Sequence, residues 1–182
     1  MRTHFVLQEF ESLLKEVVLS KRLSASKMAK LSEFSASHMD IDAQMVSAMY
    51  RTHKTLQSWQ KLSSLYVFDA LARTAKTLVT KGKLSPPSQQ GKPNAASFLL
   101  KLEGVLEGLF RDLISITDFP EMKDKMKKVL DIWIKAGTFP TRTLDLLSQI
   151  TLGTPMDQGA YLLPFVFPST FPINAICIPR DS

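Results

Sequence analysis

The 182-residue chain has one cysteine, Cys177, and three histidines, His4, His38 and His53. A single thiol forms no internal disulfide and no thiolate metal cage, and the scattered histidines have no metal-ligand spacing. A disulfide-stapled secreted domain and a metalloenzyme are not expected. No Gly-rich loop precedes a predicted helix, and no nucleophile, base and orienting group fall at a catalytic spacing. Neither an enzyme nor a bound cofactor is therefore expected. Long apolar runs are missing too. Glu9 and Glu11 interrupt the N-terminus too early for the apolar core of a signal peptide. The longest apolar stretch, Ala160 to Phe167, is broken by Pro164 and falls far short of the roughly 20 residues of a membrane helix. The expectation is an intracellular, soluble protein.

Hydrophobic residues make up 45% of the chain and charged ones 22%, enough apolar material to bury a core. Proline is unevenly spread. Pro155, Pro164, Pro168, Pro172 and Pro179 are half of the ten in the chain, and all lie in the last 28 residues. Beyond Ile150 the only charges are Asp157, Arg180 and Asp181, a net of −1, so residues 1–150 carry +7 and the whole chain +6. These shifts divide the chain into a helical body, 1–150, and a Pro-rich apolar tail, 151–182. The tail is expected to be either disordered or laid against the body as an extended strap.

The body reads as all-α. Phe10, Leu13, Leu14, Val17 and Val18 follow an amphipathic stripe. A second helix runs from Ser24 to Phe34, opened by the capping cluster Ser24-Ala25-Ser26 and carrying Met28 and Leu31 inward. Asp40 is expected to cap a third, with Ile41, Met45, Ala48 and Met49 inward, and Ser58 a fourth. That fourth helix is apolar over most of its circumference, which predicts a central position. Residues 81–94 read as a loop. Phe98, Leu102, Leu106, Leu109 and Leu113 mark a fifth helix. Pro120 is expected to open a sixth, which Gly137 ends, and Pro140 to start a seventh. Seven or eight helices with short connections and no internal repeat predict a right-handed superhelix.

Three polar features do not fit a plain core. Tyr66, Asp69 and Arg73 share one face of the fourth helix. They suit either a satisfied ion-pair network or a groove in which Asp69 accepts hydrogen bonds and Tyr66 forms an aromatic wall. Val129, Ile132 and Lys135 form a second stripe, on the sixth helix, which by itself reads as a core edge with a snorkelling lysine. Ser24, Ser26 and Lys27 sit at a helix start, readable as an ordinary N-cap or as an anion site.

The run from Lys61 to Arg73, KLSSLYVFDALAR, resembles the signature of the CTD-interacting domain, or CID. The run from Val129 to Phe139, VLDIWIKAGTF, is similar to that family's second signature, and residues 5–150 carry supporting similarity. The resemblance, closest to fungal termination and RNA-processing factors, implies a superhelix related to VHS and ENTH domains. It implies binding of the phosphorylated heptad repeat Y-S-P-T-S-P-S at the tail of RNA polymerase II, in the nucleus. By position, Tyr66, Asp69, Arg73, Val129 and Ile132 match the family's peptide groove. Ser24, Ser26, Lys27 and Lys135 match phosphate contacts, with Lys135 where relatives often carry Arg. No aromatic-rich RNP-like motif follows the body, so an RNA-recognition domain is not expected within these residues. The basic body also permits nucleic-acid binding or a membrane-adaptor role. However, aromatics are not interleaved with its basic residues as a stacking surface needs, and a lipid-binding role leaves the Tyr66–Asp69 face unused. RNA is thus a weak expectation, and no membrane partner is expected.

Overall fold

A computed structural model describes residues 2–87 and 91–153. The expected tail lies outside the described residues beyond Gly153. Among the described residues there are seven α-helices and no strand. The helices are α1 (Arg2–Val18), α2 (Ala25–Ser37), α3 (Asp42–Thr55), α4 (Ser58–Gly82), α5 (Ala95–Ile114), α6 (Met122–Ala136) and α7 (Thr141–Leu152). A 3₁₀ turn, Met39–Ile41, leads into α3. Neighbouring helices pack as α1 on α2, α4 on α5 and α6 on α7, giving an all-α superhelix.

The predicted stripes are the buried ones. Phe10, Leu13, Leu14, Val17 and Val18 of α1 are all buried, as are Phe98, Leu102, Leu106, Leu109 and Leu113 of α5. Helix α4 packs against α1, α2, α3, α5 and α6, as its apolar circumference predicts. It shares the centre with α5, which touches α3, α4, α6 and α7. No helix among the described residues is long and apolar enough to cross a membrane.

Several predicted helix ends differ. Ser24 caps α2 as expected, accepting from the Lys27 N–H at 3.4 Å. Ser58 does not cap α4. Gln57 does, in a reciprocal pair with Gln60 that satisfies two free N–H groups and leaves Ser58 inside the first turn. Asp40 lies exposed in the 3₁₀ turn, and α3 starts after it. Pro120 does not open α6. The Phe119 carbonyl accepts the Met122 N–H at 3.0 Å, which puts Pro120 second in a four-residue turn that feeds the helix. The loop expected from residue 81 begins later, because α4 continues through Gly82. Gly137 ends α6 as predicted, in the left-handed region at φ 55°. Its own N–H returns to Ile134 at 3.2 Å, and that of Thr138 to Trp133 at 2.9 Å.

Candidate functional site

Helices α4 and α6, which carry the two predicted signatures, pack on one another. The link between them is Asp69, only 5% exposed. Its Oδ1 accepts from Arg73 Nε at 3.0 Å and from the Trp133 indole Nε1 at 3.0 Å. Its Oδ2 accepts from Arg73 Nε at 3.1 Å and Nη2 at 2.7 Å. The i, i+4 ion pair readable in the sequence is therefore present, and a third partner from α6 completes it. Arg73 is the solvent side of this network, with its side chain 52% exposed. Trp133 is the core side, fully buried between Phe110 and Phe139.

Around this centre Tyr66 is half-buried and packs against the core. Val129 is buried at 1% exposure, so it backs the α6 wall from inside, whereas Ile132 is 42% exposed on its surface. Lys135, one turn further along, is also exposed. The network offers a carboxylate beside an exposed guanidinium, with Tyr66 three residues before Asp69 on α4 and Ile132 next to Trp133 on α6. Such a surface can accept hydrogen bonds and bury an apolar group.

Ser24, Ser26 and Lys27 come together where α1 gives way to α2. The Ser24 and Ser26 hydroxyls are 3.0 Å apart. Lys27 Nζ donates to the Glu16 carbonyl at 3.4 Å and to the Ser20 hydroxyl at 3.3 Å, so the ammonium sits at the C-terminal end of α1. A shallow hollow of about 370 Å³, lined by Ser12, Lys15, Glu16, Leu19 and Ser20, lies beside it. Lys135 belongs to α6 and is not part of this group. Helix α4 packs against both α2 and α6 and so is common to the two places.

Sequence reading missed two polar clusters. In the first, buried His53 of α3 lies 3.1 Å from the Ser64 hydroxyl of α4 and 3.0 Å from Asp112 Oδ2 of α5. Asp112 also accepts from Lys54 at 2.9 Å and from Lys61. Burial lowers the His53 pKa to about 4, against the pull of Asp112. Burial also opposes the Asp112 charge, but hydrogen bonds from Lys54 and Lys61 outweigh it and hold that carboxyl at about 2. A neutral imidazole satisfies both neighbours by donating from Nε2 to Asp112 and accepting at Nδ1 from Ser64. By composition this is a Ser–His–Asp set. Ser64 and His53 are nevertheless 2% and 0% exposed, so no substrate reaches them and the set clamps three helices. In the second cluster, buried Asp42 of α3 accepts from Ser97 at 2.5 Å and Lys101 at 2.7 Å on α5. No sequence pattern announces either cluster, since the partners lie far apart along the chain. Among the described residues no group of acids, histidines and cysteines could hold a metal.

Fold and signatures together define an all-α superhelical interaction domain. Residues 8–147 match the CID domain, and the chain belongs to that family. The Rpb7-binding protein seb1 of Schizosaccharomyces pombe is 30% identical over 145 residues. That match covers 78% of this chain and 23% of seb1, so the chain spans about a quarter of its curated relative. The solved CTD-interacting domain of S. pombe Seb1 is 28% identical with a TM-score of 0.72, covering 80% of this chain and 95% of that one. The yeast Nrd1 CID in complex with Sen1 NIM3 is 26% identical with a TM-score of 0.68, covering 78% and 96%.

Proposed function

We propose that this domain binds the phosphorylated heptad-repeat C-terminal domain of RNA polymerase II and acts in transcription termination and RNA processing, in the nucleus. The observation that carries this reading is the join between the two signatures, where Trp133 of α6 donates to Asp69 of α4. It ties the helix that carries Tyr66 to the helix that carries Ile132 through one carboxylate network, within a chain of the CID family. In this reading Tyr66 and Ile132 receive the repeat's tyrosine, with buried Val129 backing the wall, and Asp69 accepts hydrogen bonds from the turned peptide. Arg73 lies beside them, and Ser24, Ser26, Lys27 and Lys135 meet phosphates. The net charge of +6 favours an anionic partner.

The test is a titration of the whole chain with a two-repeat heptad peptide, phosphorylated or not. A random RNA oligomer and anionic lipid vesicles serve as further arms. Saturable binding that depends on phosphorylation is expected. Equal binding to both peptides, or binding only to RNA or vesicles, contradicts the proposal.

A further inference from the structure

The four contacts on Asp69 are not equivalent. A carboxylate offers about four lone-pair positions. Trp133 Nε1 and Arg73 Nε take Oδ1, and Arg73 alone, through Nε and Nη2, reaches Oδ2. The donors also differ in freedom. The Arg73 side chain is 52% exposed, so it can exchange these bonds for water or a ligand at little cost. Trp133 cannot. Its ring is fully buried, with centroids 5.9 Å from Phe110 and 5.0 Å edge-on from Phe139. An indole has one N–H donor, and turning it from Asp69 leaves that donor buried and unsatisfied. The bond also joins helices whose partners stand 64 residues apart in the chain.

We infer that Trp133 is a positioning residue for peptide recognition. Its indole N–H fixes Asp69 Oδ1 from inside the core, and the incoming peptide donor takes Oδ2 at the expense of Arg73. The inference rests on the proposed peptide-binding function and names the part of the site that does not move. Trp133 touches no ligand in it.

The test compares binding of the phosphorylated two-repeat peptide to wild type, Trp133→Phe, Asp69→Asn, the double variant and Phe110→Leu. Phenylalanine keeps an aromatic ring in the core but removes the indole N–H and part of the bicycle, a packing loss for which Phe110→Leu is the control. Trp133→Phe is expected to bind about three- to tenfold more weakly, and Asp69→Asn about tenfold or more. In the Asp69→Asn background, Trp133→Phe should add less than about twofold, because both changes break one unit. Phe110→Leu loosens the same aromatic cluster without touching the carboxylate, and should bind within about twofold of wild type. The Trp133 indole N–H resonance should shift in Asp69→Asn and stay protected from exchange in wild type saturated with peptide.

Additive losses in the double variant, or a Phe110→Leu loss as large as that of Trp133→Phe, would make Trp133 a core residue only. Loss of indole protection on peptide binding would overturn the inference even if Trp133→Phe fails to fold. If Asp69→Asn weakens binding and Trp133→Phe does not, the tether fails and the groove stands. If wild type does not bind the peptide, the proposed function fails and the inference with it; if wild type binds and Asp69→Asn binds like it, the inference and the role of Asp69 fail while the function stands.

Discussion

Asp112 collects His53, Lys54 and Lys61, and the burial of His53 in this cluster gives the fold a pH dependence with a definite sign. In the unfolded chain His53 takes a proton near 6.5, whereas in the fold it resists protonation down to about 4. The unfolded state binds more protons across that window, so stability falls as pH drops from 6.5 toward 4. The loss is on the order of 3 kcal/mol for this fully buried ring. Asp112 adds a second loss as pH falls from 3.8 toward 2, where its native charge is finally neutralised. His53→Gln, which does not titrate, should be less stable at pH 8 yet lose the slope between 6.5 and 4, as followed by thermal melting against pH. In the proposed groove, Asp69→Ala removes a charged acceptor worth about 1.5–3 kcal/mol, so peptide affinity should fall about tenfold or more. Circular dichroism should show the helices intact. The two phosphate candidates also separate at this scale. Lys27 belongs to the helix start that carries the Ser24 and Ser26 hydroxyls, with its ammonium on the Glu16 carbonyl and the Ser20 hydroxyl, whereas Lys135 is a flexible point charge on α6. Lys27→Ala should therefore weaken a peptide phosphorylated on the fifth-position serine more than Lys135→Ala does. A second-position preference abolished by Lys135→Ala alone would reverse that assignment.

Two glycines of α5 give opposite expectations. A Cβ at Gly108 would stand 2.5 Å from the Tyr50 hydroxyl of α3, so the half-buried tyrosine ring lies over the space that the glycine leaves. Gly108→Ala should lower stability by about 1–3 kcal/mol, because the tyrosine has to move out of a packed contact. At Gly104 a Cβ meets nothing within 4 Å and the site is exposed. Gly104→Ala should raise stability by about 0.5–1 kcal/mol through helix propensity alone. Denaturant unfolding of the pair reads both directions. Helices were largely legible in the sequence because their stripes obey a local 3.6-residue period. Their ends were less so. Ser58 has the right chemistry for a cap, but Gln57 and Gln60 satisfy each other's backbone one residue earlier. Asp40 looked like the acid that starts α3, yet it is Asp42 that is drawn inward, onto Ser97 and Lys101.

For the whole molecule, we propose that residues 1–150 form the binding unit and that the Pro-rich tail adds nothing to peptide affinity. A chain ending after Gly153, the residue that caps α7, should unfold cooperatively and bind the phosphorylated repeat as the full chain does. Loss of folding on that truncation would instead make the tail part of the core. Because the excess positive charge lies in the body, binding should weaken as salt rises, with exposed charges screened over about 10 Å at 0.1 M. A salt-independent affinity would point to apolar contacts alone.

The sequence by itself determined the helical class, the inward faces and the two signatures. Each of these is written in neighbours within two turns of one another, where backbone geometry makes spacing equivalent to position. Tyr66, Asp69 and Arg73 share a face for that reason, and the Asp69–Arg73 pair follows from it. Only the tertiary structure decided what stands opposite. A stripe shows which side of a helix is buried, but not which helix covers it or at what register. Asp69 therefore met Trp133 across 64 residues, His53 met Asp112 across 59, and Asp42 met Ser97 across 55, without any local mark of the pairing. These buried polar contacts hold because an unpaired charge or N–H in the core is costly, and the packing of α3, α4, α5 and α6 is what brings the partners within reach.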